Sequence, residues 1–167
     1  MSGAQKRFCA GVWLGDFGAG IWRRDLEMQA LDMAGHLIRR LHQHSTQVYA
    51  AHTREAGFDI TSVQFAALDA IRVNPGIDQA GVAALIAYDR PTIGEVINRL
   101  VTKGLVERAI SDTDRRARVL RLTPEGEAAF ERLLPIVRKL QEAILENLTR
   151  DERTAFLALV KAAIRER

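Results

Sequence analysis

The side chains best placed to do chemistry lie between Tyr88 and Thr123, in the run YDRPTIGEVINRLVTKGLVERAISDTDRRARVLRLT. Pro91, Thr92, Glu95, Asn98, Arg99 and Thr102 recur at three- and four-residue intervals, so a helix would gather them on one face. Hydroxyl, amide, carboxylate and guanidinium groups then offer mixed donors and acceptors without a dense charge run. Such a face suits base edges in a major groove. Asn98 could pair bidentately with adenine, and Glu95 could accept from a cytosine amino group. Taken alone, the pattern describes an ordinary amphipathic surface helix at least as well.

The residues that follow alter the balance. Leu105–Ile110 and Arg118–Thr123 read as strands, joined by the turn-rich loop 111–116 with Arg115 and Arg116 near its tip. A narrow hairpin tipped with guanidinium groups can enter a minor groove, where negative potential concentrates over A·T-rich sequence. Asp114 repels phosphate, so its expected task is to pair with a neighbouring arginine and shape the loop. Arg90, Arg99, Lys103 and Arg118 surround this face and are expected to neutralise phosphates. Helix plus basic hairpin is the signature of a winged helix.

The elements that must hold these groups are readable from caps and periodicity. Asp89 is an N-cap, Pro91 falls in the first turn, Ile93, Val96, Ile97, Leu100 and Val101 form the inward stripe, and Gly104 is the stop. Upstream, a long helix is expected from about Asp25 to Ala56, with Leu31, Ala34, Leu37, Ile38, Leu41, Val48 and Tyr49 on one face and Gly57 closing it. Thr61 and Gln64 form a capping box for a helix through Ile71, and Asn74-Pro75-Gly76 is a turn. Asp78 caps a short helix over Ala80–Ile86. Helix, tight turn, helix is the helix-turn-helix arrangement.

After the hairpin, Thr123-Pro124 starts a long helix with Phe130, Leu133, Leu134, Val137, Leu140, Ile144 and Leu148 on its stripe, and a bend is expected at Pro135. Thr149 and Glu152 open a last helix bearing Phe156, Leu159, Val160 and Ile164. These outer helices carry more apolar surface than one small winged helix can cover, unless they simply close over the chain's own core. A two-fold dimer would bury it and set two recognition helices about one DNA turn apart.

At 167 residues and 47% apolar content the chain can bury one core. Its net charge is only +3, yet residues 89–121 hold eight basic against five acidic side chains, which is the whole excess. Positive charge therefore collects where phosphate would be met. A single cysteine, Cys9, excludes an internal disulfide and fits a reducing cytoplasm. No run is long enough to span a membrane, and the glycine-broken start is a poor secretory signal. Residues 1–24 read either as an arm packing on a partner subunit or as a mis-assigned start before Met28. Cys9 could be a redox sensor, though nothing nearby would lower its thiol pKa.

The residues Asp89-Arg90-Pro91-Thr92-Ile93, the run Arg99 to Arg108, and Asp114-Arg115-Arg116-Ala117 through Leu122-Thr123-Pro124-Glu125-Gly126 resemble the MarR (multiple antibiotic resistance regulator) family of bacterial winged-helix transcription factors. The resemblance spans about Leu26 to the C-terminus. It implies a mainly α fold with a small β-wing, in which 57–123 form the DNA-binding unit and 25–56 with 124–167 the dimerisation helices. It further implies an obligate homodimer on a palindromic operator, on the cytoplasmic nucleoid, with Arg116 in the minor groove. Repression would be relieved by a small aromatic or phenolic effector. Gly94, Glu95 and Ala87 depart from the usual pattern, so the operator sequence does not transfer.

In similar proteins the effector sits between the dimerisation helices and the winged helix. Here His36, Arg40 and His44 recur every fourth residue, so a cationic Arg40 flanked by imidazoles could hold a carboxylate, with Tyr49 and Phe65 as walls. A solvated polar face or an intersubunit hydrogen-bond set explains the same spacing. An enzyme is not expected: there is no Gly-rich phosphate loop, nucleophile elbow or metal-ligand cluster, and no cofactor is implied. A redox- or zinc-responsive regulator of the same fold, or a winged helix used for protein interaction, remain the alternatives.

Overall fold

A computed structural model describes residues 29–110 and 118–164. Residues 1–24 with Cys9, and the hairpin tip with Arg115 and Arg116, lie outside the described residues. The order is a 3-10 turn Gln29–Asp32, α1 Ala34–Glu55, α2 Ser62–Val73, α3 Gln79–Leu85, α4 Arg90–Thr102, β1 Val106–Ile110, β2 Arg118–Leu122, α5 Pro124–Ile144 and α6 Arg150–Ala163. The fold is thus mainly helical with one small antiparallel hairpin.

Local chemistry explains most of the boundaries. Thr61 and Gln64 cap α2 reciprocally, Asp78 accepts from the Gly81 N–H at 2.7 Å, and Thr149 with Glu152 repeats the capping box at α6. Gly57, Gly76 and Gly104 all take positive φ where the chain turns. The first helix starts later than its periodicity suggests. Its N-cap is Met33, which has no oxygen to satisfy the first free amides, and a short 3-10 turn precedes it. α5 runs unbroken through Pro135. Pro135 and Glu131, whose carbonyl loses its usual partner, both lie on the exposed side where water can substitute.

The core is gathered around α4. Ile93, Ile97 and Leu100 are fully buried, packed with Leu68 and Ile71 of α2, Val82 of α3, Val106 and Leu120 of the hairpin, and Phe130 and Leu133 of α5. Each such side chain contributes about 1.5–3 kcal/mol by leaving water. Phe65 stacks on Phe130 with centroids 5.0 Å apart, and Arg72 lies 4.7 Å over the same ring.

The hairpin pairs Val106 with Leu122 and Ile110 with Arg118 at its two ends. A further link is invisible to local pattern: Ile77, after the Asn74-Pro75-Gly76 turn, bridges Leu120 of β2. The Leu120 N–H donates to Ile77 O at 2.8 Å, and the Gly76 N–H donates to Leu120 O at 3.0 Å. The middle of β2 is therefore fastened to the segment leading into α3. At the opposite end of the chain, α6 buries none of its residues, and Leu37, Ile38, Leu159 and Ile164 are half or more exposed.

Candidate nucleic-acid interface

The polar face expected of the recognition helix stands out from the protein. Pro91, Thr92, Glu95, Asn98, Arg99 and Thr102 are all exposed on α4, as is Arg90 at its start. The inward stripe pins the opposite side, so the outer face is presented on a rigid rod. Asp89 locks the beginning: its carboxylate accepts from the Thr92 N–H at 2.8 Å and from the Thr92 hydroxyl at 2.7 Å. Those two bonds hold the Asp89 carboxyl below its ordinary range. The Thr92 hydroxyl proton is thereby committed, leaving its oxygen to act toward a ligand as an acceptor. Gln79 of α3 donates from Nε2 to the Arg90 carbonyl at 3.2 Å, and a side chain at Gly94 would meet that same amide at 2.9 Å.

Two of the named polar residues have partners that sequence spacing did not reveal. Asn98 Oδ1 accepts from Nη2 of Arg108 on β1 at 2.7 Å, a link between helix and hairpin. Lys103 Nζ reaches across to the loop between α1 and α2, where it pairs with the Asp59 carboxylate at 2.9 Å and with the Asp59 carbonyl. That cation holds the Asp59 carboxyl below its usual range. Arg99 lies 3.9 Å from Glu95 with both side chains largely exposed, an ion pair that water and salt screen to little. Arg118 is exposed at the start of β2, opposite Ile110. Arg115 and Arg116 fall outside the described residues.

The five candidate effector residues do not converge. Two adjoining cavities lie between α1, α5 and α6, with volumes of about 900 and 480 Å³ and a shared wall that includes Leu41 and Phe156. Tyr49 and Phe65 line the larger one, Arg40 and His44 the smaller, and His36 neither. The cause is helical geometry: Tyr49 follows His44 by five residues, which turns it by about 140° around α1. The larger cavity instead receives Arg150 and Arg153 from α6, residues too remote in sequence for any periodicity to associate with Tyr49. The Tyr49 hydroxyl is buried and, like His36 Nε2, has no hydrogen-bond partner among the described residues. Burial raises the Tyr49 phenol above its normal pKa.

No group of three or more His, Cys, Asp or Glu side chains is clustered among the described residues. No described helix is long and apolar enough to cross a membrane.

Comparison with known proteins bears on this arrangement. Residues 58–117, from the approach to α2 through β1 and up to the start of β2, match the MarR family model. The HTH-type transcriptional repressor NicR of Pseudomonas putida is 30% identical over 133 residues, covering 80% of this chain and 83% of NicR. Among solved structures, Bordetella bronchiseptica BpsR, whose DNA binding is regulated by 6-hydroxynicotinic acid, superposes with a TM-score of 0.74 at 27% identity. That match covers 81% of this chain and 96% of BpsR. A mutant of Escherichia coli MarR complexed with operator DNA superposes with a TM-score of 0.71 at 29% identity, covering 78% and 93% of the two chains. The overall fold is thus shared with transcriptional regulators. The chain belongs to the MarR family of winged-helix transcriptional regulators.

Proposed function

We propose that the protein is a repressor that binds a palindromic operator as a homodimer and leaves it when a small aromatic acid binds. The observation that carries this reading is the exposed polar face of α4 beside the hairpin that holds much of the chain's basic excess. Pro91, Thr92, Glu95 and Asn98 meet base edges, Arg90, Arg99 and Arg118 meet phosphates, and Arg115 with Arg116 occupies the minor groove. Lys103 is committed to Asp59 and anchors the end of α4. Residues 57–123 form the DNA-binding unit; 25–56 and 124–167 dimerise, with the exposed apolar residues of α1 and α6 as the joining surface.

Gel shifts across a salt series test the DNA contacts. Arg90→Ala is expected to weaken binding to all sequences alike and to reduce the slope of log K against log salt by about 1. Undiminished binding by Arg116→Ala would remove the hairpin from the interface.

The effector reading rests on the larger cavity, which is lined by Tyr49, whose hydroxyl has no partner among the described residues, by apolar side chains such as Leu41, Phe65 and Leu157, and by Arg150 and Arg153, which supply positive charge. The ligand named for BpsR, a hydroxylated aromatic carboxylate, has the complementary chemistry. Binding would act by favouring one spacing of the two recognition helices over the other. In thermal-shift titrations with aromatic acids, Tyr49→Phe is expected to weaken the stabilising ligand by about 3–10-fold, the worth of one neutral hydrogen bond. Arg40→Ala is expected to change nothing. Equal shifts for wild type and Tyr49→Phe would place the ligand elsewhere.

A further inference from the structure

We infer that Arg108 and Asn98 act as one reading unit that selects guanine, which makes Arg108 a specificity-determining residue of the interface. The inference rests on the DNA-binding reading above. Arg108 stands on β1, and its Nη2 donates to Asn98 Oδ1 at 2.7 Å. A guanidinium has donors only, so the amide atom facing it is the oxygen, and the amide of Asn98 has one orientation. Both residues are exposed, and Asn98 lies on the outer face of α4 among the other base-reading candidates.

This contact changes the code that Asn98 can read. Adenine shows the major groove an acceptor at N7 and a donor at its N6 amino group. A lone asparagine matches it by donating from Nδ2 and accepting at Oδ1. Here a cationic donor already takes one lone pair of that oxygen, and an incoming amino group would have to approach the other beside the guanidinium. Donor would face donor. Guanine shows two acceptors, O6 and N7. Nδ2 of Asn98 and the N–H groups of Arg108 form a surface of donors that matches both, with the positive charge strengthening the bonds. Sequence spacing assigns adenine to Asn98; the partner supplied by β1 reassigns it.

The test is selection of duplexes from a randomised pool by the full chain, as wild type, Arg108→Ala and Asn98→Ala, with circular dichroism confirming the fold of each. Wild type is expected to enrich a guanine at one position of each half-site. Arg108→Ala is expected to lose that preference by about 5–150-fold and to favour adenine there, because the Oδ1 of Asn98 is released. Asn98→Ala is expected to weaken the guanine preference without replacing it by adenine. A guanine preference that survives Arg108→Ala overturns the inference, as does a loss spread evenly over all positions. Failure of the wild type to enrich any sequence overturns the DNA-binding reading and this inference with it.

Discussion

Ala87 holds φ at +55° in the turn between α3 and α4, a conformation that crowds any side chain. The turn needs it: the Tyr88 N–H reaches back to Ala83 O at 3.0 Å, and the chain reverses into α4. Glycine would remove the strain, so Ala87→Gly is expected to stabilise the fold by about 0.5–1 kcal/mol. Chemical denaturation measures it; a destabilised variant would mean the turn is held by something other than its backbone. Gly126 is the opposite case. A Cβ there would stand 2.0 Å from the Leu105 carbonyl oxygen, with backbone on both sides of the clash. Gly126→Ala is expected to lose about 1–3 kcal/mol, read by the same measurement. The glycine in the Leu-Thr-Pro-Glu-Gly run was plain in the sequence. Its reason, the close approach of α5 to the strand end at Leu105, belongs to tertiary structure.

Among the elements, α4 was the most legible and its partners the least. Asp89, Pro91, the Ile93–Ile97–Leu100 stripe and Gly104 are local signals, and each has its structural counterpart in a cap, a first turn, a buried face and a left-handed stop. The Asn98–Arg108, Lys103–Asp59 and Ile77–Leu120 links join residues whose spacing follows no helical or strand period. Periodicity finds faces, and these links join one face to another. The same limit explains the effector candidates: a four-residue repeat aligned His36, Arg40 and His44, but could not bring in α6. The cap at α4 also carries a pH dependence. Hydrogen bonds from Thr92 lower the Asp89 carboxyl in the folded state. Its stabilising share is therefore full above the ordinary carboxylate value, about 3.9, and is lost as pH falls through the lowered folded value. The melting-temperature gap between wild type and Asp89→Ala should be widest near neutrality and close in acid. A gap that widens in acid would contradict the assigned cap.

Seen whole, the molecule has one face committed and another waiting. The core around α4 is dense, whereas α6 buries none of its residues and α1 exposes Leu37 and Ile38 at 50% and 67%. An apolar surface of that kind is costly to leave in water, and a second copy related by a two-fold axis would cover it. The same axis would place two α4 helices and two hairpins against successive turns of a duplex, so that assembly and recognition become one property. Mean composition conveyed little of this, because a net charge of +3 reveals nothing until its placement in residues 89–121 is noticed. The most direct measurement is the mass, by analytical ultracentrifugation, of the complex formed with a duplex selected from a randomised pool. The account predicts two chains on an inverted repeat whose half-sites are centred about 10 base pairs apart, dissociating as salt rises. A single chain bound without preference for any double-stranded sequence would contradict it.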